Sequence, residues 1–448
     1  MKQLIFLLTL TTSFLAQTQS LKGTLRQHAK QQITLTGYNY YESHELSKTT
    51  LDSLGNFTLN YPKNYKGMAV LNTQDNSNLI LVLRGQPIQL TGNHLKEPTT
   101  IVFKNSKENT NFTTYAKAQG LYGNALSALR YLDNLYQKEA FFSNHKEIKK
   151  AIQKEQESIQ KKDTSFVANL NTGSYIKWFI PFRKLVQEMP FIVSNETTRI
   201  PDAIQQFRSI DFNHSNFKTS GLFKELIEGH YMLLENMGQP LDSVYSQMNI
   251  STQYLIDNLK TNESLLNSVS NNMFNYFEKR SLFDASAHLS VSLLNDNQCI
   301  LNDDLAAKLE SHRKMKVGKT APEIVLEGNK KLSDIKAHKL VVFGASWCPH
   351  CTEEFPKLEN YSKIWKDNKV ELIYISIDTN KKDYQETYLD KPWQSYCDYK
   401  GWDTQSALDY FVSGTPTYFL LDATNKILLR PKSLEHANVW MKSRGLVN

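Results

Sequence analysis

Two cysteines three positions apart, Cys348 and Cys351, are the residues of this 448-residue chain whose type and spacing most directly permit chemistry. They close the stretch Leu340-Val-Val-Phe-Gly-Ala-Ser-Trp347-Cys348-Pro349-His350-Cys351. Its short apolar run, rich in Val and Phe, reads as a strand buried on both faces, and the residues from Thr352 onward read as a helix. At a strand-to-helix junction the first backbone N–H groups lack partners, and the positive end of the helix dipole favours an anion. A thiolate at Cys348 is that anion. A thiol whose pKa is drawn from about 8.5 into a range of roughly 3.5 to 7.5 is a nucleophile at neutral pH. Cys351 lies one turn on, where it can attack a mixed disulfide at Cys348. Two other uses of the pair are weaker. A tetrahedral zinc site needs two more ligands, and the remaining cysteines, Cys299 and Cys397, are far apart in sequence. A structural bridge across one helical turn closes almost no loop and stabilises little.

The segment Trp347-Cys-Pro-His-Cys351 resembles the thioredoxin active-site motif. Its continuation, Cys351-Thr-Glu-Glu354-Phe-Pro356, resembles the TlpA/ResA-like thiol–disulfide oxidoreductases, which carry a Glu three residues after the second cysteine and a Pro two further on. Gly414-Thr415-Pro416-Thr417-Tyr418 resembles that family's cis-proline strand, and Val317-Gly-Lys-Thr-Ala-Pro322 with Leu332-Ser-Asp-Ile resembles its opening hairpin. The resemblance spans residues 316–448 and implies a thioredoxin fold that exchanges disulfides with exported protein substrates. It implies that Cys348 attacks, Cys351 resolves and Glu354 assists proton movement. Trp347, Pro349, Thr415 and Pro416 would contact the substrate chain. No cofactor beyond the Cys348–Cys351 disulfide and no metal is implied, and a membrane electron donor or acceptor is expected. Two positions depart from related patterns. Val342 stands where typical thioredoxins hold a buried Asp, which leaves Glu354 as the carboxylate for Cys351. The Pro349-His350 dipeptide resembles DsbA, and a cationic or hydrogen-bonding His350 at the helix start favours the thiolate. The expected potential is therefore more oxidising than the about −270 mV of thioredoxin.

These cysteines must be held by a larger chain. Lys2 followed by the apolar stretch Leu4 to Ala16 reads as a signal peptide within residues 1–20, cleaved after Ala16 or after Ser20, since about 13 residues are too few to span a bilayer. Periplasmic export follows from it, with anchoring through this segment as the other possibility. Residues 21–103 carry alternating or short apolar runs bounded by Gly, Asn and Pro, as in Gln32-Ile-Thr-Leu-Thr-Gly, which predicts an antiparallel β-sandwich. Within it Asp52-Ser-Leu-Gly55-Asn-Phe57-Thr-Leu59 resembles a hairpin of the β-domain fused to TlpA-like proteins. Residues 104–315 change to helical periodicity, with helix starts expected at Asp242 or Asn249, and form an α-helical middle domain. Residues 316–448 alternate strand and helix as a thioredoxin-like domain should. The net charge of +7 is spread along the chain and makes no nucleic-acid footprint. The long stretch ahead of residue 316 sustains a second expectation, a periplasmic or surface binding module with an accessory thioredoxin domain.

Overall fold

The computed structural model describes residues 18–447, apart from 98, 143 and 413. The expected signal peptide lies outside the described residues, except that Thr18, Gln19 and Ser20 already pair with Pro62, Tyr61 and Asn60 in the first sheet. The chain divides into two compact units, Met1–Met237 and Gly238–Asn448. The boundary falls inside the 104–315 span.

The first unit begins with eight strands: β1 (Thr18–Leu25), β2 (Gln32–Asn39), β3 (Glu42–Thr50), β4 (Asn56–Pro62), β5 (Gly67–Thr73), β6 (Asn78–Leu83), β7 (Ile88–Gly92) and β8 (Val102–Lys104). They form two four-stranded sheets, ordered β4-β1-β7-β8 and β3-β2-β5-β6. The second is antiparallel throughout. In the first, β1 and β7 run parallel, so that sheet is mixed where an antiparallel one was expected. The chain leaves β1, contributes β2 and β3 to the other sheet, and supplies two more of that sheet's strands before β7, so β7 cannot be a hairpin partner of β1. Strict alternation along β4 sends Phe57, Leu59 and Tyr61 inward, where residues of both sheets share one apolar cluster with Leu21, Leu35 and Leu71. The turn before β4 shows why Asp52 and Gly55 stand where they do. The Asp52 carboxylate accepts the N–H groups of Leu54 and Asn56, and Gly55 has φ +81, with any Cβ meeting the Leu25 carbonyl oxygen at 2.4 Å.

Five helices complete this unit: α1 (Lys107–Lys138), α2 (Lys146–Ala168), α3 (Tyr175–Asn195), α4 (Ile200–Phe207) and α5 (Phe223–Glu235). Helix α1 starts at Ser106, whose hydroxyl accepts the Asn109 N–H. Tyr175 and Phe179 are buried along α3, as their helical spacing predicts for core residues.

The second unit opens with α6 (Leu241–Leu259), α7 (Glu263–Lys279), α8 (Phe283–Asn295) and α9 (Asp303–Lys314). Asp242 lies in the first turn of α6, as expected. Asn249 does not start a helix, because the apolar positions Val244, Tyr245 and Met248 carry the same buried face through it. There follow β9 (His338–Gly344), α10 (Pro349–Glu353), α11 (Phe355–Asp367), β10 (Val370–Ser376), α12 (Lys381–Tyr388), β11 (Gln394–Cys397), α13 (Gln405–Asp409), β12 (Thr417–Leu421), β13 (Ile427–Leu429) and α14 (Leu434–Ser443). Their sheet has the order β11-β10-β9-β12-β13. Strands β9, β10 and β11 are parallel, and β12 returns antiparallel to β9. Both faces are covered. Val341, Phe343, Ile373 and Phe419 point to one core, and Leu340, Val342, Leu372 and Leu420 to the other, beneath Trp365 and Met441. This explains why β9 reads as an unbroken apolar run. No helix among the described residues is long and apolar enough to cross a membrane.

Candidate functional site

The site is built where β9, the most central strand, runs out into a turn. Ser346 donates its backbone N–H and its hydroxyl to the buried Asp378 carboxylate, which also accepts from the Ser376 hydroxyl at the end of β10. That clamp sets the turn from which Trp347 and Cys348 emerge. Cys348 is the N-cap of α10, and its Sγ accepts the backbone N–H of Cys351 at 3.2 Å. The pair is joined as a disulfide with a Cα–Cα separation of 5.3 Å. Cys348 is 5% and Cys351 3% exposed. Pro349 occupies the first position of the helix, where its missing N–H costs nothing.

The helix read from Thr352 onward is two helices, α10 from Pro349 and α11 from Phe355. They meet at Glu354, which caps one and opens the other, and Pro356 sits in the first turn of α11. A five-residue α10 carries little macrodipole, and the backbone donor that faces Cys348 Sγ is the N–H of Cys351. Across from it, the Thr415–Pro416 peptide is cis, and the Thr415 carbonyl oxygen lies 3.5 Å from Cys348 Sγ.

Glu354 is half-buried, and burial raises its carboxyl above the ordinary range against the opposing hydrogen bond from the Tyr418 hydroxyl. Tyr418 is pushed up strongly by its own burial and by Glu354. This tyrosine, two residues past Pro416 on β12, escaped the sequence reading because a Tyr in a strand reads first as packing. His350 stands open to solvent. Its side chain is 84% exposed, with Glu353 its nearest acidic neighbour at 3.6 Å. Trp347 is 54% exposed and faces Trp402, itself 44% exposed, with ring centroids 6.1 Å apart.

The family described as Thioredoxin-like matches residues 339–427. The thiol–disulfide oxidoreductase ResA of Bacillus subtilis (strain 168) is 28% identical over 159 residues, which is 34% of this chain and 84% of that protein. A ResA of Bacillus cereus is 32% identical over 123 residues, 26% of this chain and 69% of its own length. This chain belongs to the thioredoxin-like thiol–disulfide oxidoreductases. Among solved structures, a thiol–disulfide oxidoreductase from Bacteroides fragilis NCTC 9343 is 28% identical over 28% of this chain and 99% of its own, with a TM-score of 0.25.

As a thiol–disulfide oxidoreductase, the chain holds two cysteines outside the redox pair, and both are free. Cys397, at the end of β11, donates to the Asp378 carbonyl and accepts the Tyr399 N–H, and burial raises its thiol. Burial, with Asp296 beside it, pushes Cys299 up to about 11. Trp393 is buried against Phe355 and Tyr374. In the first unit His28, Asp75 and His94 gather closely enough to suggest a metal. Every ring nitrogen there already has a protein partner. His28 Nε2 accepts the Leu95 N–H and Nδ1 faces Gln31, while His94 Nδ1 accepts the Lys96 N–H and Nε2 faces Asp75.

Proposed function

We propose that this protein is exported and exchanges disulfides with protein substrates through its Cys-Pro-His-Cys pair. The observation that carries the reading is the position of Cys348 Sγ, between the Cys351 N–H and the Thr415 carbonyl. In the reductive direction the Cys348 thiolate attacks one sulfur of a substrate disulfide, and the other sulfur leaves as a thiolate. Cys351, having passed its proton towards Glu354, attacks Cys348 Sγ and expels the second substrate thiolate. Two electrons pass to the substrate, and the Cys348–Cys351 disulfide forms. The oxidative direction uses the same atoms in reverse. No cofactor other than this disulfide enters, and a membrane donor or acceptor would reset it. Thr415 and Pro416 orient the incoming chain by edge pairing, with Trp347 and Pro349 against it. His350 adds an electrostatic contribution that solvent screens.

Export rests on the N-terminal apolar stretch. Cleavage after Ala16 leaves β1 whole, whereas cleavage after Ser20 would remove three of its paired residues. The two N-terminal sheets, with their shared core, are read as a sandwich that positions the redox unit. Insulin reduction tests the chemistry: Cys348→Ser should abolish it and Cys351→Ala should accumulate mixed disulfides. Activity surviving in Cys348→Ser, or a Cys351→Ala trap that captures nothing above background, would overturn the assignment.

A further inference from the structure

Beside the cis-proline loop lies a small cavity of about 110 Å³, room for one side chain, since water takes roughly 30 Å³. One wall is the loop itself, Thr415 to Tyr418, and the other is the α7–α8 turn with Lys279 and Phe283. Arg430, just past β13, lines the same space and is 7% exposed. Its guanidinium is fixed by Glu278 at 2.8 Å, by His312 Nε2 at 3.0 Å and by the Phe283 ring at 3.8 Å, yet its Nε has no hydrogen-bond partner.

The charges around this cavity are unequal. Glu278 is matched by Arg430, Glu354 is hydrogen-bonded by Tyr418, and Glu435 is paired with Lys357 at 2.6 Å. Lys279 and Lys432 are exposed at the rim and enter no ion pair among the described residues. Resting on the exchange reading above, we propose that this cavity is a substrate subsite for an acidic side chain, an Asp or Glu within a residue or two of the reacting cysteine. A chain held against Thr415 with its sulfur at Cys348 brings a neighbouring side chain to this cavity, where the two lysines at its rim attract a carboxylate. The specificity of the enzyme is then for cysteines in acidic surroundings.

The test uses the full-length protein, pre-reduced, in single turnovers against symmetric disulfide dimers of one short peptide carrying Glu, Gln or Lys beside its cysteine. The kcat/KM ratio of Glu to Lys peptide should be roughly tenfold at low salt and fall towards one at high salt, as screened surface charges require. In the double variant Lys279→Glu/Lys432→Glu the ratio should invert. Because it is a ratio within each protein, any loss of overall rate divides out. A wild-type ratio near one, or a ratio the double variant leaves unchanged, overturns the subsite while the Gln peptide is still reduced. If the Gln peptide is not reduced by wild type either, it is the exchange reading that has failed.

Discussion

Two carboxyl groups of the second unit, buried Glu278 and half-buried Glu354, both lie near the cis-proline strand and have opposite fates. Glu278 lies between Arg430 and His312 and also accepts the Ser286 hydroxyl. Burial raises its pKa, but the guanidinium and the histidine outweigh it and hold it at about 2. Glu354 has a neutral phenol for its nearest partner, so burial prevails and its carboxyl rises. The difference teaches that what a buried acid does here is decided by whether a cation was buried with it. One carboxylate stays charged down to low pH and ties α7 and α9 to the end of β13; the other has its charged form disfavoured by burial.

The comparison can be broken most easily at Glu278. Glu278→Gln leaves the Arg430 charge buried without a counter-ion and should destabilise the second unit by about 3 kcal/mol in denaturant titrations of the full protein. Because the folded pKa is depressed, the wild-type carboxylate's contribution is fully present above about pH 4.5 and lost as pH falls towards about 2. That part of the acid sensitivity should vanish in the variant.

Glu354→Gln should do the reverse. With a raised folded pKa, the group favours folding below the ordinary carboxylate range and loses that contribution as pH rises through its raised value. The variant should therefore be no less stable at neutral pH, while its exchange rate falls about a hundredfold and loses its carboxyl-dependent pH limb. Equal losses of stability in the two variants would erase the distinction.

Smaller effects sharpen it. Tyr418→Phe removes the one hydrogen bond that opposes burial, so the Glu354 limb should move to higher pH, with a rate change of about fivefold or less. His350→Ala should matter least, shifting the redox potential by under about 30 mV, because an exposed charge is screened.

The redox region was legible from sequence because its signals are local. The apolar run of β9, the paired cysteines and the Thr415–Pro416 dipeptide each announce themselves within a few residues. The N-terminal strands that alternate, such as β4, were legible for the same reason. Strand β3 was not: Glu42–Thr50 contains one Leu among polar residues, since it is an edge strand with no buried position. The ion cluster was beyond reach as well. Glu278 and Arg430 are 152 residues apart, and nothing near either one announces the other. Asp378 and Ser346 are 32 residues apart, and nothing near either one announces their bond.

That last contact has a consequence for the catalytic cycle. The oxygens of Asp378 hold the turn ahead of Trp347 through hydroxyl and amide groups alone, and neither Cys348 nor Cys351 takes part in these hydrogen bonds. Making or breaking the S–S bond therefore leaves this anchorage intact. The turn that presents Cys348 is thus mounted on bonds that thiolate attack at sulfur neither makes nor breaks, like a tool post that stays bolted while the bit is changed.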